Sequence, residues 1–482
     1  MRMRMRTEVR LLLAFGLLVL LSVVPKAIGY KGRGEDESGD ESGSGKNSSG
    51  IFLLPKSKLV VRSEAGEVRV VRGYRARTID SPINIGFIRM EPNSLFIPQY
   101  TDSSFIMFIR TGEAKVGWIH SDGLVERELK TGDIYRIPAG STFYLVNTRR
   151  GETLKIISSI DTSESLGIGP YQSFFIGGGP NPTSVLAGFD HITLRTAFNV
   201  SSSQLDDILK SQHKGPIVHI TRPEQPSYWA SFMKLKQQER LAHLQADHEG
   251  KKQTKWSWRK LMTSIFGTEI NNDKSIISAP ESYNIYNRKP DFENNYGWSV
   301  ALDENDYKPL EHSGIGVYLV NLTAGSMMAP HVNPSATEYG IILSGSGSIQ
   351  VVFPDGTPAM NAEVQEGDVF WIPRYYPFCQ IASIKGPMEF FGFTTSAQKN
   401  RPQFLVGASS ILQTINGPEL ATAFDISEKR LNHIINAQRE SFILPSVRVS
   451  PPKSSQDNKY SAEPVVDPFV KDFADNLFMG FD

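Results

Sequence analysis

The chain has 482 residues, with 51 Lys+Arg, 51 Asp+Glu and one Cys. Zero formal charge lacks the basic excess of a nucleic-acid binder, and 40% hydrophobic residues is too apolar for a wholly disordered acidic chain. A single Cys excludes an internal disulfide framework, and the length suits two or three domains.

Residues 1–29 begin with Arg2, Arg4, Arg6 and Arg10, followed by the apolar run Leu11 to Val24. That run falls short of a comfortable membrane span. Ala27 and Gly29 put small residues at the −3 and −1 positions of a cleavage site. The pattern predicts a secretory signal peptide over 1–29, with a retained signal anchor as the alternative. Without it the chain carries 46 basic and 50 acidic residues, about −4 formally. Passage through the secretory pathway would make the sequons at Asn47, Asn199 and Asn321 glycosylation candidates.

Residues 30–50 read as a disordered acidic Gly/Ser-rich segment. After it the chain repeats itself. Gly132-Asp133-Ile134-Tyr135-Arg136-Ile137-Pro138 matches Gly367-Asp368-Val369-Phe370-Trp371-Ile372-Pro373, each a turn feeding a strand. Phe105–Gly112 (FIMFIRTG) matches Glu338–Gly345 (EYGIILSG). Downstream, Ser184-Val185-Leu186 and Ala197-Phe198-Asn199 match Ser410-Ile411-Leu412 and Ala423-Phe424-Asp425. A further amphipathic stretch follows each pair, at Gln204–Leu209 and Glu428–Ile435, with helical periodicity. The reading is therefore an N-terminal module over 51–222 and a C-terminal module over 282–445. Each is a set of short strands forming a sandwich or barrel, with helices appended.

Residues 223–281 form a linker with one helix, in which Trp256 and Trp258 lie among Lys and Arg. Such a helix either packs on a neighbouring module or sits on a membrane surface; the shortness of the charge cluster favours packing. Residues 446–482 read as a mobile tail that ends in the apolar Asn476–Asp482, a feature for a sorting receptor or for docking on the surface. Gly177-Gly178-Gly179-Pro180 is read as an indel-tolerant loop and not a phosphate cradle, since no Lys follows it.

The spacings resemble the cupin signature. Gly325, His331, Asn333, Glu338 and Gly345 fall in register with its first motif, and Gly132, Pro138, Gly140 and Asn147 with its second. The duplicated layout, the segments FFIGGGPNPTSVLAGF and RPQFLVGASSILQTINGPELATAF, and Tyr283-Asn284-Ile285 with Pro290-Asp291 resemble the 7S seed globulins, or vicilins. The resemblance covers about residues 52–445. It implies an all-β fold of two cupin jelly-roll barrels, each followed by a small helical extension. It also implies a homotrimer in which the helices after each barrel dock on the next subunit, and storage in seeds, with delivery to the protein storage vacuole or, alternatively, outside the cell.

A catalytic cupin holds its metal with two or three His and a Glu. The first copy has Gln99, Thr101, Phe105 and Phe143 at those positions, which predicts a packed core without metal. The second keeps His331 and Glu338 but has Asn333 and Phe378 at the other two. Cys379 lies one residue beyond Phe378. If Pro377 produced a bulge, Cys379 would turn inward, and His331 with Cys379 would suit Cu or Zn, with Asn333, Glu338 or Tyr376 nearby. The competing reading is a satisfied core His and a small buried Cys. No other catalytic motif appears in the sequence. The sequence thus points to a non-enzymatic storage globulin without nucleic-acid or membrane partners. A metal-dependent oxidase or dioxygenase, or a small-ligand binder using the C-terminal barrel, is the alternative.

Overall fold

The structure is a computed structural model that describes residues 52–73, 83–120, 123–149, 151–220 and 281–446. The signal peptide, Asn47, the linker helix and the C-terminal tail lie outside the described residues.

The first module contains β1 (Lys58–Ser63), β2 (Gly66–Val71), β3 (Ile83–Met90), β4 (Ser94–Thr101), β5 (Ser104–Thr111), β6 (Glu113–His120), β7 (Gly123–Lys130), β8 (Asp133–Ile137), β9 (Phe143–Asn147), β10 (Leu154–Asp161) and β11 (Ser173–Phe175). Helices α1 (His191–Phe198) and α2 (Ser202–Lys210) follow, then β12 (Ile217–His219). The second module repeats the plan with β13 (Tyr283–Asn284), β14 (Phe292–Asn294), β15 (Gly297–Leu302), β16 (Gly316–Leu322), β17 (Ser326–Met328), β18 (His331–Val332), β19 (Glu338–Ser344), β20 (Ser346–Val352), β21 (Pro358–Gln365), β22 (Val369–Ile372), β23 (Phe378–Ala382), β24 (Met388–Thr394) and β25 (Gln403–Phe404). Helices α3 (Ile411–Thr414), α4 (Pro418–Ala423) and α5 (Glu428–Ile435) and strand β26 (Ile443–Pro445) complete it.

Each barrel is two facing sheets. In the first, β1-β2-β3-β10-β5-β8 opposes β11-β4-β9-β6-β7; in the second, β14-β15-β16-β24-β19-β22 opposes β21-β20-β23-β17-β26. The repeated Gly-Asp turn has a physical cause. Gly132 and Gly367 take φ of +92° and +90°, where a Cβ would be strained. The following Asp then closes the turn: Asp133 accepts from the Lys130 amide and Asp368 from the Gln365 amide, each at 2.9 Å.

The strand written FIMFI is apolar throughout because both of its faces are buried. Phe105, Met107 and Ile109 fill the first barrel, while Ile106 and Phe108 belong to a core shared with the second module. Phe108 stacks on Phe391 with ring centroids 4.1 Å apart. The modules also exchange their leading segments. Leu53 bridges to Phe370 on β22, and β13 pairs with β8. Each N-terminal arm thereby completes the other module's sheet, so the two barrels share backbone hydrogen bonds as well as side-chain packing.

The helical extensions are set by their caps. Asp190 caps α1, Ser201 forms a capping box with Gln204 on α2, and Ser427 caps α5. Leu194 and Leu205 are buried in the first extension, and Leu420 and Leu431 at the same places in the second. The Gly177–Pro180 segment corrects one expectation. A Cβ on Gly178 would stand 2.4 Å from the Pro182 carbonyl oxygen and one on Gly179 2.6 Å from that of Gln212. It is a tightly closed turn against the α2–β12 connection, where insertions would collide. Among the described residues no helix is long and apolar enough to cross a membrane.

Candidate functional site

The register of the strands places the motif residues together. His331 on β18 pairs with Phe378 on β23, and Gln99 on β4 pairs with Phe143 on β9. The two barrels therefore present the same position with different chemistry.

The first barrel is filled. Phe105 meets Phe143 and Tyr171 edge-on at centroid distances of 6.3 and 5.5 Å. Thr101 is buried and donates to the Ser103 carbonyl at 2.9 Å. The space left beside Gln99 is about 20 Å³, roughly one water-sized probe. Both polar atoms of the Gln99 amide are buried without a protein partner.

The second barrel is open. A cavity of about 950 Å³ runs from its interior to the start of the helical extension, lined inside by Tyr318, His331, Glu338, Gln380, Phe390 and Thr394. His331 is held by three contacts. Its Nδ1 lies 2.7 Å from the Ala329 carbonyl, and its ring sits 4.1 Å from that of Phe378 and 5.1 Å from that of Phe404. A carbonyl only accepts, so Nδ1 carries the proton and Nε2 keeps the lone pair. Burial lowers the ring's pKa to about 4, which leaves it neutral at pH 7.

Glu338 is also buried, and burial raises its carboxyl to about 7. Asn333 donates from Nδ2 to Glu338 Oε1 at 2.9 Å. The Tyr318 hydroxyl faces the same carboxyl without closing a well-formed hydrogen bond. Asn333 has no spare capacity, because its Oδ1 accepts from the Ser335 and Ala336 amides, each at 3.1 Å. It holds Glu338 and the loop, and is not poised as a ligand.

Cys379 and Tyr376 are elsewhere. The β20–β23 register runs without a break from Gly347↔Ala382 to Val351↔Phe378, so Pro377 introduces no bulge. Alternation then sends Cys379 to the face opposite Phe378 and Gln380. Its thiol points at exposed Gln350, 3.8 Å from Oε1, and burial raises it to about 11. Tyr376 packs on Phe52 and Phe353 at centroid distances of 5.5 and 6.2 Å. The expected convergence of His331 with Cys379 and Tyr376 is thus corrected: only His331 and Glu338 line the lumen. Among the described residues no three His, Cys, Asp or Glu stand together as a metal site. Tyr318 and Gln380, which the motif comparison passed over, do line it. Strict alternation from Phe378 would have selected Gln380 instead of Cys379.

Of the sequons, Asn199 is exposed at the C-terminal cap of α1, with φ of +53°. Asn321 is half-buried on β16, a strand paired on both sides, and faces Trp298 and Glu389 across the ladders.

Comparison with known proteins agrees with this architecture. The cupin family matches residues 52–205 and 283–432. A vicilin-like seed storage protein of Arabidopsis thaliana is 54% identical over 419 residues, which span 84% of this chain and 82% of that protein. Vicilin from Capsicum annuum superposes with a TM-score of 0.67 at 21% identity, covering 82% of this chain and 99% of that one. Vicilin from Solanum melongena, described as having different anionic ligands in structurally similar pockets, gives 0.66 at 20% identity over 83% and 100% of the two chains. With two matched cupin domains and this degree of identity, the chain belongs to the vicilin-like, or 7S globulin, seed storage proteins of the cupin family.

Proposed function

We propose that this protein is a nutrient reservoir of seeds that assembles as a homotrimer and performs no catalysis. The supporting observation is the state of the two barrels. One is filled by aromatic side chains, and the other keeps His331 and Glu338 while the remaining ligand positions hold Asn333 and Phe378. A fold kept without a complete ligand set suits a protein whose packing and amino acids are its function. Accumulation during seed filling and degradation on germination is the expected time course. Constant low abundance through both stages, or oxidase turnover lost in His331→Ala, would overturn the reading.

Trimer assembly rests on a repeated surface. Phe189, Phe198 and Ile208 are exposed on the first helical extension, and Ile415, Phe424 and Ile434 at the same three places on the second. Two matching apolar patches on the two ends of a pseudo-symmetric subunit suit head-to-tail contacts that close into a ring. The segment 1–29 supports delivery through the secretory pathway to the storage vacuole, and Asn199 is the sequon whose exposure best suits a glycan.

A second reading, compatible with storage, is that the C-terminal barrel binds a small ligand. The contrast between cavities of about 950 and 20 Å³ in two copies of one barrel favours it.

A further inference from the structure

We propose that the lumen of the C-terminal barrel selects a small, uncharged, partly aromatic molecule that donates hydrogen bonds, and discriminates against carboxylate anions. The inference rests on the small-ligand reading above and names the class of ligand.

The polar groups at the inner end are chiefly acceptors in want of donors. Nδ1 of His331 is committed to the Ala329 carbonyl, so the remaining ring nitrogen offers a lone pair. Phe378 and Phe404 hold that ring in place, so it cannot turn to offer its N–H instead. Glu338 receives one hydrogen bond, from Asn333, and its second oxygen has only the Tyr318 hydroxyl in front of it, without a closed bond. The amide oxygen of Gln380 is buried without a partner. An unsatisfied acceptor in a low-dielectric interior is costly, and a ligand that donates to it recovers that cost.

Positive charge is absent from this inner wall. The strand residues that line it, on β16, β18, β19, β23 and β24, include no Lys or Arg. Arg288 lies farther out and is already tied to Asp291 at 2.8 Å and to Asp306. A carboxylate placed beside Glu338 would meet a second acidic group and no cation, which is unfavourable at low dielectric. The rest of the wall, with Phe390, Val320 and Met328, is apolar and suits a flat ring.

The test is calorimetric titration of the purified full-length protein with catechol and with benzoate, in EDTA-containing buffer at pH 7.5. The two probes match in size and differ in donor capacity and charge. Catechol is expected to bind at least tenfold more tightly than benzoate. Its affinity should fall about tenfold in His331→Phe and be abolished in Val320→Trp, which fills the lumen. Benzoate binding as tightly as catechol, or more tightly, would overturn the selectivity and leave a lumen ligand standing. Catechol affinity unchanged in His331→Phe but lost in Val320→Trp would do the same. Absence of binding by both probes at millimolar concentration, or unchanged binding in Val320→Trp, would overturn the inference together with the small-ligand reading. Circular dichroism on both variants separates loss of fold from loss of site.

Discussion

His331 and Phe378 are register partners across β18 and β23, and their rings lie 4.1 Å apart. In the other barrel the same pair is Gln99 and Phe143. A phenylalanine thus occupies, in both copies, the position where a catalytic cupin would place its last histidine. In one barrel it helps to fill the interior. In the other it helps to clamp a lone imidazole whose free nitrogen faces a large cavity.

The orientation of Cys379 makes a chemical prediction. A buried thiol with its pKa raised to about 11 holds little thiolate at pH 8. Native protein should therefore resist iodoacetamide, and urea-unfolded protein should react at the rate of a free cysteine. Cys379→Ala should also leave transition-metal content unchanged in elemental analysis. A loss of bound copper or zinc in that variant would show that the thiol reaches the lumen after all.

The lumen carries opposed pH dependences. Glu338 titrates near 7 in the fold against about 4.5 unfolded. Its neutral form is favoured by folding, so its contribution is complete below pH 4.5 and is lost as pH rises through 7. His331 runs the other way. Its pKa falls to about 4 from 6.5, so its contribution is present above 6.5 and lost as pH falls toward 4. The two nearly cancel in the wild type between 4.5 and 6.5. Glu338→Gln removes one side. Relative to wild type, its unfolding free energy should rise by about 2–3 kcal/mol between pH 5 and pH 8. Urea titrations at the two pH values measure it, and a pH-independent difference would refute the assignment.

Assembly is testable on the repeated patch. Phe198 and Phe424 are 44% and 54% exposed, so an Asp at either place costs the isolated subunit little. Phe198→Asp and Phe424→Asp should each convert a trimer to monomers in light scattering at neutral pH without changing the far-ultraviolet spectrum. Retention of the trimer in both variants would place the subunit contacts elsewhere.

Tyr375 offers a stability gain. It takes φ of +76°, and its counterpart in the first module is Gly140 at +73°. A Cβ in that region is strained by about 1–2 kcal/mol, partly offset here by the Arg374 guanidinium 5.4 Å from the tyrosine ring. Tyr375→Gly should stabilise the protein by about 1 kcal/mol after the entropy cost of glycine. Tyr375→Ala, which keeps the Cβ, should not stabilise it, and equal effects of the two in chemical denaturation would show that the strain is absent.

Much of the fold was legible because the chain states its plan twice. The Gly-Asp turns, the FIMFI and EYGIIL strands and the capped helix pairs repeat with the same spacing. Each has a local cause: a left-handed glycine, a two-sided burial, an Asp or Ser cap. Duplication turns weak local signals into a strong one. The site was legible only in part. His331 and Glu338 followed from motif spacing, but the fate of Cys379 depended on whether Pro377 shifted a strand register, which no local pattern reports. Tyr318 and Gln380 carry no motif, and only the closure of the barrel brings them to the lumen.

Local chemistry in the sequence therefore settled the two-module cupin layout, the turns, the caps and the loss of a full ligand set. Tertiary structure decided the rest: the exchange of arms between modules, the cavity in one barrel and its near absence in the other, and the outward face of Cys379. The reason is physical. Turns, caps and periodicity act over a few residues, whereas enclosed volume and strand register arise from contacts between strands far apart in the chain.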